Sequence, residues 1–473
     1  MILTKIVVIL TCGKILILLL HGLRRELAAD MMLLKSKGFW IIVIVGFVVR
    51  VLALGIPHVH PWDYPLFWHW ARLLYRDGFS TFYLNEAHTD YMPGYMYVLW
   101  LKGFLDSLLD LTPAGAIYPP VSFVPRFVLI FPSVVADIAA GVLLFKWAGG
   151  LDRAKENVAL FLALAYVLNP AVIMVSSVWG QVDSIYALII LLAVYLLTKK
   201  RFFPAFIIYA VGIMVKQQSI VFGPIFLFFL WDFLKTNGFS GKAFLTIFRN
   251  GIICILAIVI IVLPFAFTAE GFTFMPVARQ FIDTLGQRQF ATVNAYNIWG
   301  AMGLNWYPLD SPAGYGLYFF NPSVLPLRVI GYGIGIGGAA VIGFLLMVKS
   351  KVAWSYFFAG AVINIMFFMV SVRMHERYAF VAMVLLLAAY IFSGETGVVR
   401  RKEKRDVKLL CLYIAFSVGS FVNYAVVFYD SLNRWMHHYL IRNAMVYSWL
   451  MIVPFIFMMY LVVRMLIDRE RGR

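Results

Sequence analysis

The chain has 473 residues, 63% of them hydrophobic and 13% charged, with a formal net charge of +17. A water-soluble globule of this size cannot hide so much apolar surface, so the composition excludes a soluble protein and indicates a polytopic membrane protein. The positive charge does not point to nucleic acid, because Lys and Arg collect in short segments between apolar runs, at 23–37, 199–201, 349–351, 400–408 and 469–473, as cytoplasmic loops do.

Residues 1–22 are apolar but interrupted by Lys5 and Lys14, without a signal-peptide cleavage pattern. The segment 1–38 is expected to be cytoplasmic or interfacial, with Met31 or Met32 as an alternative start. Runs able to cross about 30 Å of hydrocarbon follow at 39–56, 92–110, 121–147, 157–176, 183–198, 202–215, 218–231, 250–268, 326–348, 352–371, 378–393, 407–427 and 444–466. They predict an all-α bundle of about thirteen transmembrane helices. The intervening segments 57–91 and 269–325 are too long and polar for tight turns and are expected to be structured external loops. Parsed this way, the chain has a catalytic membrane module at 39–268, an external loop at 269–325 and C-terminal helices at 326–473. Cys12, Cys254 and Cys411 lie scattered in apolar runs and suggest neither a disulfide framework nor a metal cluster.

Within the first loop, Leu66, Phe67, Trp70, Leu73 and Leu74 recur at helical spacing opposite His69, Arg72 and Arg76, which predicts an amphipathic interfacial helix after Asp63. The basic loops after residue 150 give a consistent orientation. The first third does not: counting through the runs makes 152–155 external, whereas its charge argues that it is internal. One run between 92 and 147 is re-entrant, or the charge rule is broken there.

The unusual polar residues fall where apolar runs end, and the later ones share one side. They are His58-Val59-His60-Pro61-Trp62-Asp63-Tyr64, Asp90-Tyr91-Met92-Pro93-Gly94-Tyr95, Trp179-Gly180-Gln181-Val182-Asp183, Lys216-Gln217-Gln218, Asn294 to Asn297, and Arg373-Met374-His375-Glu376-Arg377-Tyr378. Asp63 is a candidate general base, or else the N-cap of its helix. Asp183 either lines a cleft or caps its own helix, and Glu376 is expected to pair with Arg373 or Arg377. Arg126 and Asp137 stand about three turns apart in one run, too far to touch. Arg50 either reaches a phosphate or snorkels. No Asp-x-Asp clamp occurs in the first loop, and metal independence is expected.

The first loop, with Asp63-Tyr64, His69-Trp70 and Asp90-Tyr91-Met92-Pro93, resembles that of GT-C glycosyltransferases, especially the dolichyl-phosphate-glucose-dependent glucosyltransferases of asparagine-linked glycan assembly. There the last piece reads Asp-Tyr-Pro-Pro. The motifs around Trp179, Lys216, Asn294 and His375 resemble those of prokaryotic mannosyltransferases related to the second mannosyltransferase of the GPI-anchor pathway. The resemblance spans about residues 39–395. It implies a GT-C-like fold and an inverting transfer of one hexose, with mannose favoured over glucose, from a polyprenyl-phosphate donor to an acceptor hydroxyl on the extracytoplasmic face. Asp63 matches the position of the base, and the resemblance implies no cofactor. A leaving phosphate calls for cationic donors, for which Lys216, Arg373, His375 and Arg377 are the candidates. His60, Tyr64, Asp90, Tyr91, Trp179, Gln181, Asp183, Gln217, Asn294, Asn297 and Glu376 are the candidate substrate-binding residues. The acceptor is a lipid-linked glycan, a glycolipid, a polymer or a protein, and the membrane a prokaryotic plasma membrane, or the endoplasmic reticulum in a eukaryote. A flippase of lipid-linked saccharides, and an oligosaccharide ligase or polymerase, are the alternative readings.

Overall fold

Caps and helix breakers divide the apolar chain where its polar residues fall. A computed structural model describes residues 31–86, 89–113, 115–269, 271–286, 289–309, 327–394, 405–433 and 437–467. The expected segment 1–30, much of the 269–325 loop, and the basic stretches 400–404 and 469–473 lie outside the described residues.

After a turn of helix α1 (Met31–Lys35), Ser36 accepts a hydrogen bond from the Phe39 amide and opens α2 (Lys37–Ala53). Next come α3 (Asp63–Arg76), α4 (Phe79–Asn85), α5 (Pro93–Leu108) with Pro93 in its first turn, and α6 (Phe123–Trp147). α7 (Glu156–Val167) stops before Asn169, whose side chain caps α8 (Pro170–Ile173); π-turns carry α8 on to Trp179, bent by 42° from α7. Gly180, at φ +81°, ends that segment in a conformation that favours glycine. There follow α9 (Asp183–Thr198), α10 (Phe202–Val215), a 3₁₀ stretch Gln217–Phe222 leading into α11 (Gly223–Thr236), and α12 (Gly241–Ala266). A hairpin of β1 (Phe267–Thr268) and β2 (Gly271–Phe272) precedes α13 (Met275–Gly286), β3 (Thr292–Val293) and α14 (Ile298–Ala301). Glycine-rich π-turns at Gly331–Gly338 lead into α15 (Ala339–Lys349), then α16 (Ala353–Val370), β4 (Met374–His375), α17 (Phe380–Ser393), α18 (Val407–Leu432), α19 (His437–Tyr447) and α20 (Trp449–Ile467).

The chain is thus an all-α polytopic membrane protein. Each predicted apolar run is helical, but among the described residues eight helices, or nine with the bent pair taken as one, combine the length and apolarity of a span. Helices such as α9 and α10, of 16 and 14 residues, are shorter than the roughly 20 residues a crossing needs. The interior is the α16 to α17 region, whose hydrophobic windows are 78% and 83% buried, against 11% for α12 at the periphery.

The run at 92–110 corrects the predicted topology. Along α3, Tyr64 Oη donates to the Pro120 carbonyl at 2.6 Å, Trp68 Nε1 to Thr112 Oγ1 at 3.3 Å, and Arg72 Nη1 to the Ala116 carbonyl at 2.9 Å, so the chain leaving α5 folds back over α3. At the other end of α5, Gly94 sits against the Met214 carbonyl, where a Cβ would come within 2.6 Å of the oxygen. Both ends of α5 therefore lie at the α3 end of the bundle, and α5 runs alongside α3 rather than through the protein. A buried Lys102 to Asp106 ion pair within α5 suits that placement. The chain between α2 and α6 is thus gathered around α3.

Asp137 pairs with Arg50, not with Arg126. The Arg50 guanidinium donates to Asp137 Oδ2 at 2.9 and 3.2 Å and to the Gly46 and Val167 carbonyls, with both side chains fully buried, so Arg50 neither snorkels nor reaches a phosphate. Arg126 donates to the Leu54 carbonyl at 2.9 Å.

Candidate functional site

Asp63 is the first residue of α3, yet its carboxylate does not cap that helix. His60 does so: its Nδ1 accepts the Asp63 amide at 3.1 Å. The carboxylate is turned instead toward the segment that follows the π-turns of α8. Oδ2 of Asp63 accepts from Trp179 Nε1 at 2.8 Å, Gln181 Nε2 at 2.5 Å and Arg377 Nη1 at 3.1 Å, while Oδ1 has no partner among the described residues. Gln181 is itself fixed, since its Oε1 accepts from Tyr91 Oη at 3.0 Å and its carbonyl accepts from Ser133 of α6 at 2.7 Å.

Around this carboxylate the charges interlock. Arg377 Nη1 lies 3.3 Å from Glu376 Oε1, and its Nε stands 3.7 Å from Asp183 Oδ2, too long for a hydrogen bond. Its guanidinium carbon lies 4.7 Å over the Trp179 ring. Lys216, at the end of α10, holds Asp183 Oδ1 at 2.6 Å. Glu376 Oε2 lies 3.6 Å from His375 Nδ1. Lys216 and Arg377 are therefore engaged by carboxylates and are not open cations. Glu376 pairs as expected, with Arg377 as its partner. Asp183 is buried in an ion pair.

Burial raises the pKa of the Asp63 carboxyl, but the charge of His60 whenever that ring is protonated, the charge of Arg377 and the Trp179 indole outweigh it and hold the group below the ordinary carboxylate value. Burial dominates at His60 and lowers it from 6.5, ahead of the opposing pull of Asp63. A neutral ring is also what its geometry needs, because Nδ1 accepts from the Asp63 amide.

These groups border a cavity of about 1170 Å³. Of the residues singled out in the sequence, it brings together His60, Asp63, Asp90, Tyr91, Trp179, Lys216, Gln217, Asn294, Arg373, His375, Glu376 and Arg377. Gln181 and Asp183 lie one layer behind, each bonded to a lining residue. Two of the expected residues are placed elsewhere. The hydroxyl of Tyr64 is spent on Pro120, away from the cavity, and Asn297 is fully buried, capping α14 through Gly300 and donating to the Phe368 carbonyl. Both fit a motif by position while serving the backbone. The sequence reading missed Trp306, Tyr332, Asp430, Ser431 and Asn433, which also line the cavity. Arg373 Nη2 donates to Gln289 Oε1 at 2.5 Å, with its guanidinium 5.7 Å from the Tyr332 ring. Among the described residues no group of three or more His, Cys, Asp or Glu is placed to hold a metal ion.

The same cavity also has apolar walls, from Ile220, Val221 and Pro224 of the 3₁₀ stretch and the start of α11, and from Ile336, Ala339 and Ile363 of the π-turns, α15 and α16. It thus joins a charged head to a greasy furrow between helices, a shape suited to a ligand with both characters.

The family model described as the ALG6, ALG8 glycosyltransferase family matches residues 43–284, just over half of the chain. No curated protein matches it. The matched stretch includes Asp63, Asp90, Trp179, Asp183 and Lys216 and ends before Asn294, Arg373 and Arg377.

Proposed function

Because the chain belongs to the ALG6, ALG8 glycosyltransferase family, and is thus a membrane glycosyltransferase that draws on a lipid-linked donor, we propose that it moves a single hexose from polyprenyl phosphate to an acceptor hydroxyl on the extracytoplasmic face, with inversion. Asp63 is the general base. The observation that carries this reading is the division of labour within one carboxylate: three donors hold Oδ2, and Oδ1 is left open. An ionised, oriented acid of this kind accepts the hydroxyl proton as the new bond forms.

In that step the acceptor oxygen bonds to the anomeric carbon as the bond from that carbon to the phosphate oxygen breaks. The electron pair departs with the polyprenyl phosphate, and the proton goes to Asp63 Oδ1. A single displacement inverts the anomeric centre. Arg373 and His375, on the same wall, are the leading phosphate ligands. Arg377 and Lys216 act beside them while bound to carboxylates, and the charge growing on the leaving oxygen strengthens their pull on it. The prenyl chain takes the furrow between Val221 and Ile363. Arg377, set among Asp63, Asp183 and Glu376, fills the place a divalent cation would take, and transfer is accordingly insensitive to chelators.

Family membership moves the preferred donor from mannose to glucose, and the preferred acceptor is a lipid-linked glycan. The test is transfer of radiolabel from short-chain polyprenyl-phosphate glucose and, separately, mannose into a membrane extract by purified protein and by Asp63→Asn. Consumption of one donor by the wild type, lost in the variant and unaffected by chelator, supports the reading and names the sugar. Consumption of neither, with a fluorescent lipid-linked saccharide crossing proteoliposomes, overturns it in favour of a flippase.

A further inference from the structure

One wall of the cavity carries an unusual concentration of strained backbone. Asn294, Trp306 and Arg373 have φ values of +60°, +60° and +64°, a left-handed region that non-glycine residues occupy at a cost. All three line the cavity. Pairing holds them there: β3 runs parallel to β4, and isolated bridges join Thr292 to Asn305 and Asn294 to His375. From the opposite side, Asn423 of α18 donates to the Asn294 carbonyl at 2.8 Å and accepts from the Tyr296 amide at 3.0 Å. This ties the loop to the helix whose far end brings Asp430, Ser431 and Asn433 to the same cavity.

The side chains are ordered too. Trp306 Nε1 donates to Asn294 Oδ1 at 2.8 Å, and Asn305 Nδ2 donates to the same atom at 3.2 Å. An indole N–H is donor only, so the Asn294 amide orientation is fixed. Its Nδ2, with no partner among the described residues, is left to donate elsewhere. Phe290 meets Trp306 edge to face, at 5.2 Å and 67°, and sets the plane of the indole. Asp430 accepts from Asn443 Nδ2 at 3.2 Å through Oδ2.

An indole plane, an amide donor, a carboxylate and a hydroxyl make a surface for a neutral polyol: the ring takes the apolar face of a pyranose, and the carboxylate and amide take its hydroxyls. Asp430 repels a phosphate. We propose that Trp306, Asn294 and the Asp430 to Asn433 end of α18 form the acceptor subsite, and that it takes a neutral sugar residue of the acceptor. This rests on the transferase reading and deepens it. All of these residues lie beyond 284, outside the stretch that matches the family.

The test pairs kinetics with direct binding, using Trp306→Ala, Trp306→Phe and Asn294→Asp, the last of which keeps the tolerated backbone conformation and removes the two amide donors. With a lipid-linked glycan as acceptor, Trp306→Ala raises the acceptor KM by about 10-fold while the donor KM holds, and Trp306→Phe recovers much of the loss. Saturation-transfer NMR with mannotriose and maltotriose on the wild-type protein in nanodiscs gives a signal that Trp306→Ala and Asn294→Asp weaken. A raised donor KM with an unmoved acceptor KM overturns the subsite and leaves the transferase standing. Where the wild type transfers no hexose at all, trisaccharide signals that need Trp306 uphold the site as a sugar-binding one. Signals indifferent to Trp306, or absent, overturn it.

Discussion

Two charge clusters sit in this bundle, and they are built on opposite plans. In the first, Arg50 and Asp137 pair one to one, fully buried, and Arg50 Nη1 donates to the Gly46 and Val167 carbonyls. In the second, Asp63, Asp183 and Glu376 share Lys216 and Arg377, and one carboxylate oxygen opens on a cavity. A buried, balanced pair stabilises only the packing around it. An unbalanced, open cluster has a place for something further, in the proposed reaction a proton on Asp63. The two are joined mechanically, because α6 carries Asp137 and, one turn earlier, Ser133, which holds the Gln181 carbonyl.

Substitutions at the two clusters separate the plans. The largest effect is expected at Asp63→Asn, which keeps the shape and removes the proposed base: kcat falls by about 10²–10⁴-fold, with thermal unfolding in detergent close to wild type. Arg50→Met does the reverse. It strands a buried carboxylate at a cost of about 3–5 kcal/mol, read as a drop in Tm, and the double variant Arg50→Met, Asp137→Leu recovers most of it. Were the double variant as unstable as the single, the pair would be holding more than its own charges.

Gln181→Leu bridges the clusters. Loss of one hydrogen bond to a charged group, worth about 1.5–3 kcal/mol, lowers kcat by about 10- to 100-fold and leaves the donor KM in place. The smallest effect is on pH. Asp63 is held below its ordinary value of 3.8, so the stability it contributes is complete above 3.8 and is lost as pH falls through its lower folded value. His60 is also lowered, from 6.5, so the unfolded chain binds that proton first and stability declines as pH drops below 6.5. A kcat/KM profile over about pH 4–8 shows an acid limb below 6.5 that moves to lower pH in His60→Gln. A limb unchanged in that variant assigns the titration elsewhere.

Much of the site was legible because a membrane chain cannot strand polar residues casually. Asp63, Trp179, Lys216 and Arg377 each close an apolar run, and the structure gathers them around one cavity. Their partnerships were not legible. Nothing in the spacing ties Lys216 to Asp183 or Arg50 to Asp137, since both contacts join different helices. Asn297 and Tyr64 show the converse, residues of the right type whose polar atoms the backbone consumes. Hydropathy could not tell a helix lying along a bundle from one passing through it, which is why α5 reads as a span. Trp306 carries no motif, and its place in the cavity wall and its left-handed backbone are visible only in the structure.

The lie of α5 bears on how the chain is made. At 16 residues it is about 24 Å long, short of the roughly 30 Å that insertion requires, yet apolar enough to be offered to the bilayer as it emerges during synthesis. Lys102 and Asp106, which pair within the helix itself, make residence in hydrocarbon costly. Helix orientation in every later part of the protein depends on that segment being refused passage: were it threaded across, each following loop would emerge on the wrong side, and Arg377 would never meet Asp63.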